Sequence, residues 1–240
     1  MNGKCLLEIS VESVEAATAA ERGGADRIEL CGDLSLGGIT PGAELLHAVR
    51  SQVRIPIFSM VRPRAGDFDY STAELVEMKR SAVSAKEAGM NGVVLGVLTK
   101  EHRVDVERTR ELVELAKPLP VTYHRAFDET ADIHGALEDV IQSGAKRILT
   151  SGGAKSALEG AAVLAELIEA AGEQIVIVPG AGINAANIRQ IAQRTKAREF
   201  HSGLSTALPY GSRDYKMFEE EVRRLAEHIA RVSGTETARK

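Results

Sequence analysis

The stretch Gly24-Ala-Asp-Arg-Ile-Glu-Leu-Cys31 reads as the end of one element and nearly the whole of the next. The glycine closes a helical pattern, where a left-handed residue suits a helix C-terminus, two polar residues turn the chain, and an aliphatic run then begins. The same phrase recurs as Gly89-Met-Asn-Gly-Val93 and Gly144-Ala-Lys-Arg-Ile148, so the copies start 65 and 55 residues apart. Each interval is about two βα units of ~30 residues. The partners this spacing requires are aliphatic runs near Leu6 to Ile9, Ile57 to Val61, Val121 to Tyr123, Ile175 to Val178 and Phe200 to His201, giving eight strands in all. Helical patterns fill the gaps, among them Val14 to Arg22, Ala73 to Ala88, Val104 to Ala116, Ile133 to Ser143 and Ala157 to Ala171. Strict alternation with short links predicts a parallel sheet, and eight units in 240 residues predict an α/β fold of the (β/α)8 TIM-barrel type. Residues 1–232 are expected to form one domain, and 233–240 a polar, disordered tail.

Composition narrows the function. The chain has 30 basic and 34 acidic residues, a net charge of -4, and no interleaving of basic with aromatic residues, which argues against a nucleic-acid partner. Its longest uncharged stretch, Ile175 to Ile188, is broken by Pro179 and two glycines and is too short to span a bilayer. Lys4 is followed at once by strand-like sequence carrying Glu8, unlike a signal peptide, so a cytoplasmic location is expected. Cys5 and Cys31 are read as free thiols, since a core of this size needs no disulfide.

In a barrel, polar side chains at the C-terminal ends of strands face the site. Leu7-Glu-Ile-Ser10 and Ile28-Glu-Leu-Cys31 share one form, and alternation turns both glutamates and Cys31 away from the aliphatic layer. Glu8 and Glu29 are therefore candidate acid/base groups, or they are neutralised by an inward Arg27, Arg62 or Arg147. His124, with Asp128 in the loop beyond it, joins them as a catalytic candidate. His201 holds the corresponding place on the last strand, and Cys31, His124 and His201 are the candidate metal ligands. No close ligand spacing such as Cys-x-x-Cys is present. Thr150-Ser-Gly-Gly153 and Pro179-Gly-Ala-Gly182 end two strands in turns whose N–H groups can hold an anion, so Ser151, Gly152, Gly153, Gly180, Gly182 and Ser202 are candidate anion contacts. The alternative is tight turn geometry. Arg62 and Arg64 add a bidentate clamp for carboxylate or phosphate, or else neutralise Glu29 and Asp67. Gly180-Ala-Gly182 lacks the rest of a dinucleotide fingerprint, so no nucleotide cofactor is expected.

These segments resemble the CutC copper-homeostasis family. The resemblance rests on Gly24 to Cys31, Gly37-Gly-Ile-Thr-Pro41, Arg62-Pro-Arg-Ala-Gly-Asp-Phe68, His124-Arg-Ala-Phe-Asp128, Ile148-Leu-Thr-Ser-Gly-Gly153, Gly180-Ala-Gly-Ile183 and Glu199-Phe-His-Ser202. It implies a cytosolic TIM barrel, a homodimer or higher oligomer, and a role in handling copper, with Cu(I) as the expected ion. One position departs from the family pattern: Ser10 stands where members commonly have a cysteine facing the one matching Cys31. A hydroxyl is a poor ligand for a soft ion, and Cys5 lies too far down the strand to replace the thiol. The other reading is an enzyme, a lyase, isomerase or hydrolase, acting on a small anionic or sugar-like substrate, with a divalent metal as an alternative cofactor.

Overall fold

The computed structural model of the chain describes residues 4–204 and 211–235, the last three of these as backbone only. Strands and helices alternate throughout: β1 (Leu6–Val11), α1 (Val14–Gly23), β2 (Arg27–Leu30), α2 (Ala43–Gln52), β3 (Ile57–Met60), α3 (Thr72–Glu87), β4 (Gly92–Leu95), α4 (Val106–Ala116), β5 (Val121–Tyr123), α5 (Ile133–Ser143), β6 (Arg147–Thr150), α6 (Ala161–Ala171), β7 (Val176–Pro179), α7 (Ile188–Thr195), β8 (Glu199–Ser202) and α8 (Tyr215–Thr235). A short 3₁₀ turn, Arg125–Glu129, lies between β5 and α5. The repeated phrase marks helix exits as expected: Gly24 and Gly144 cap α1 and α5 in the left-handed conformation, at φ 96° and 89°. Helix entries carry side-chain caps, Ser13, Ser71, Asp105 and Asp132, and Ser71 forms a full capping box with Glu74.

The strands pair in the order β7-β6-β5-β4-β3-β2-β1-β8, every pairing parallel. β7 and β8 lie side by side across the remaining seam, where Ser202 Oγ donates to the Ile183 carbonyl at 2.6 Å. The sheet is thus the expected (β/α)8 TIM barrel. α6 begins at Ala161, not Ala157, because Gly160 packs against the Ser151 carbonyl too closely to leave room for a Cβ, and this fixes the preceding residues as a turn. α8 runs through Thr235, so its last turn takes in 233–235, and residues 236–240 of the expected tail lie outside the described residues.

Alternation along the strands sorts the buried residues into two environments. Leu7, Ile9, Ile28, Leu30, Ile57 and Phe200 belong to the large apolar layer between sheet and helices. Cys31, Phe58, Met60 and Val94 form a separate small cluster inside the barrel. The rest of that interior is polar, and the register explains why. Glu8 stands opposite both Arg27 and His201, and Ser10 stands opposite Glu29, so neighbouring strands bring charge together at the same level.

Candidate functional site

At the lower level of the barrel, charge is paired. Arg27 Nε donates to Glu8 Oε2 and Nη2 to Glu199 at 2.6 Å, while Arg147 Nε donates to Glu199 at 3.1 Å. Both guanidiniums lie over the Phe58 ring, 4.9 and 5.2 Å from its centre. Burial alone would raise the Glu8 pKa, but Arg27 and His201 outweigh it and hold the carboxyl at about 2. Glu8 is thus paired with an arginine, the alternative named beside its acid/base candidacy.

Glu29 is different. Among the described residues no arginine bonds to it: Oε1 is buried without a hydrogen-bond partner there, and Oε2 accepts only a long 3.7 Å contact from the Cys31 thiol. Burial first, and then the nearby Glu8 charge, push its pKa up. His201 connects the two acids. Its Nδ1 lies 2.8 Å from Glu8 Oε1 and its Nε2 lies 3.8 Å from Glu29 Oε2. Burial would lower the imidazole pKa, but the two carboxylates raise it above the usual histidine value. Glu8, Glu29 and His201 each offer a ligand atom, all within 4.8 Å of one another, the one such three-residue grouping among the described residues. Cys31 and His124 stand outside this grouping, so the expected ligand set of Cys31, His124 and His201 is not brought together. Burial and the adjacent Glu29 push the Cys31 thiol well above its usual pKa, which keeps it protonated.

The opposite wall is built by β3 and β5. Arg62 holds the glycine loop after β2 by donating to the carbonyls of Leu36, Gly37 and Gly38, and holds the next loop through Gly66, all at 2.9–3.4 Å. Its guanidinium lies 4.8 Å over Phe68, whose ring meets His124 at 4.9 Å. Burial and the Arg62 charge depress the His124 pKa to about 3, so the ring is neutral. Its place depends on Gly96, where a Cβ would lie 2.5 Å from His124 Nδ1. Both walls line one cavity of about 470 Å³ at the C-terminal ends of the strands, with Arg125, Lys155 and Gly182 at its border.

Several expected anion contacts are already occupied by the protein itself. Asp128, a candidate acid/base residue, instead plugs the turn after β6: its carboxylate accepts from Ser151 N and Oγ, Thr150 Oγ1 and Gly153 N, and pairs with Arg125 at 2.8 Å. Gly152 N donates to Thr150 Oγ1. Ser151, Gly152 and Gly153 therefore form the nest foreseen from sequence, with Asp128 as its anion. Arg64 is held by Asp67 and Glu74, the neutralising role named as its alternative, and Arg62 does not contact Glu29. Ser202 spends its hydroxyl on Ile183 and Leu204. Gly180 leaves room for Leu149, whose side chain would lie 2.5 Å from a Cβ there, and Gly182, at φ 69°, stays on the cavity lining. Sequence reasoning missed Glu199, Phe58, Phe68 and Gly96. Glu199 is the one with a signal, since it begins β8 at the inward position two residues before His201.

The CutC family profile matches residues 5–206. The human copper homeostasis protein cutC homolog is 48% identical over 196 residues, covering 82% of this chain and 72% of its own length. A CutC family protein of Xanthomonas campestris pv. campestris strain 8004 is 47% identical over 196 residues, 82% of each chain. The crystal structure of a Streptococcus agalactiae CutC superposes with a TM-score of 0.78 at 29% identity, over 83% of this chain and 98% of that one. A fold match of this kind adds to a sequence match that covers most of the barrel, and the chain belongs to the CutC family.

Proposed function

We propose that the protein serves in copper homeostasis, the role its human relative is named for, and that it holds a metal ion in the Glu8, Glu29 and His201 grouping, with Glu29 and His201 Nε2 as ligands and Glu8 behind the imidazole, rather than at Cys31. The observation that carries this reading is the buried Glu29 carboxylate oxygen left without a partner beside an imidazole whose other nitrogen is held by Glu8. A carboxylate behind a histidine fixes its tautomer and orientation and is the usual support of a metal-binding imidazole. Carboxylate and imidazole suit a borderline divalent cation, Cu²⁺ or Zn²⁺, and such an ion would give Glu29 the positive partner it lacks. A Cu(I) thiolate site fits poorly: Cys31 stands outside this grouping, and Ser10 is a hydroxyl. The test is competition with a chelator of known affinity for Cu²⁺ and for Zn²⁺. Glu29→Gln is expected to weaken binding by about tenfold or more, as loss of a direct ligand does, while Cys31→Ser retains wild-type affinity. Equal binding by Glu29→Gln and wild type overturns the assignment.

One observation favours acid/base catalysis as a second reading. His201 is bracketed by two carboxylates, so a proton on Nε2 has Glu29 beside it and a compensating charge behind it. Activity that survives removal of all metal would select this reading.

A further inference from the structure

The wall facing Glu29 carries two buried nitrogens, His124 Nε2 and Arg62 Nε, that find no acceptor among the described residues, although the other guanidinium nitrogens of Arg62 donate to loop carbonyls. His124 Nδ1 accepts from the Ala126 N–H at 3.2 Å, which in a neutral ring puts the proton on Nε2. That Nε2 is buried and has no hydrogen-bond partner, on a residue only 4% exposed. Arg62 is 7% exposed and has no carboxylate partner among the described residues, whereas Arg27, equally buried, has two. The Tyr70 hydroxyl lies beside the Arg62 guanidinium, yet neither it nor Arg62 Nε makes a hydrogen bond of acceptable geometry. A buried cation without a counter-charge is costly, and so is a buried N–H without an acceptor. Both groups reach the same cavity and are fixed to each other through Phe68.

We propose that this wall binds a small carboxylic acid with a carbonyl oxygen next to the carboxylate, a 2-oxo acid, with Arg62 taking the carboxylate and the His124 Nε2–H taking the carbonyl oxygen. The ligand offers only acceptors to a wall that offers only donors. Phosphate is disfavoured by the same structure. The glycine nest that would cradle it is filled by Asp128, Arg64 is tied to two acids, and Glu29 and Glu129 also line the cavity a dianion would enter. An uncharged sugar would leave Arg62 without a counter-ion. The proposal stands apart from the metal reading, because neither residue belongs to the Glu8, Glu29 and His201 grouping.

The experiment uses full-length protein treated with EDTA, so the metal reading has no bearing on its outcome. Binding of 2-oxobutyrate, butyrate, 2-butanone and inorganic phosphate is followed by calorimetry and by the His124 imidazole ¹⁵N resonances. The expected order is 2-oxobutyrate ahead of butyrate and 2-butanone by about tenfold, with phosphate weakest and the Nε2 resonance shifting with the two carbonyl ligands but not with butyrate. Arg62→Met and His124→Phe should each weaken 2-oxobutyrate by about tenfold or more. Because Arg62 also secures two loops, His124→Phe, which leaves them in place, decides the matter if Arg62→Met does not fold. No binding of 2-oxobutyrate, equal binding of butyrate, tighter binding of phosphate, or wild-type affinity in His124→Phe each overturns the proposal.

Discussion

Arg27 shows what one residue does for this interior. It joins Glu8 on β1 and Glu199 on β8, and all three side chains are nearly removed from water. Replacing it by methionine keeps most of the volume but leaves buried Glu8 with His201 alone and buried Glu199 with Arg147 alone. Arg27→Met should destabilise the protein by roughly 3–5 kcal/mol in urea unfolding. His124 gives a pH signature. Its folded pKa, about 3, lies below the ordinary 6.5, so the unfolded chain binds the proton more readily. Its share of stability is therefore complete above pH 6.5 and is lost as pH falls toward 3, at up to about 1.4 kcal/mol per pH unit. Glu8, held at about 2 against 4.5, adds a loss of the same sign at lower pH, while Glu29 and His201, both raised, act in the opposite direction. Subtracting a His124→Phe stability curve from that of wild type isolates the histidine: the difference, wild type minus variant, should fall steadily as pH is lowered below 6.5, and a constant difference would show that His124 is not buried neutral. At this scale the sequence was legible in part. Alternation placed Glu8 and Glu29 inside, but which of Arg27, Arg62 and Arg147 meets which acid depends on register across strands distant in sequence.

Elements were easier to read than their contacts. The phrase that ends α1 and opens β2 carries its own turn chemistry, so it could be recognised three times without any knowledge of the fold. The start of α6 could not be read this way, because Ala157 to Ala171 is rich in helix formers with a single glycine, and it is the approach of Gly160 to Ser151 that delays it. The turn after β6 reads as either an anion site or tight turn geometry, and the carboxylate that fills it arrives from the turn after β5, a contact between loops that no local pattern announces. The end of β4 offers a test of element packing. Gly96→Ala would press a methyl into His124, which should cost about 1–3 kcal/mol and move the ring out of line with Arg62 and Phe68. Thermal unfolding together with the His124 imidazole resonances would check this, and an unchanged ring environment would contradict the packing described.

At the scale of the whole molecule, closure falls to β8 and α8. α8 packs along α1, and a Cβ on Gly23 would lie 2.6 Å from Val222 Cβ and 2.8 Å from the Glu219 carbonyl. Gly23→Ala should therefore push the last helix off the first and loosen β8, which carries His201, costing stability by about 1–3 kcal/mol and weakening metal binding without touching a ligand. A variant with wild-type affinity and stability would show that this contact does not govern closure. The barrel itself was legible because eight repeats of one local grammar leave few ways to close. Its site was legible only as a set of inward residues, and closure then put Glu29 with His201 and set Cys31 apart. We propose that a metal ion bound here is held by oxygen and nitrogen, not sulfur. Zinc takes either kind of ligand, so X-ray absorption at the zinc edge of the zinc-loaded protein tests it most directly. A single shell of oxygen and nitrogen at about 2.0–2.1 Å is predicted, and a sulfur shell at about 2.3 Å would contradict the assignment.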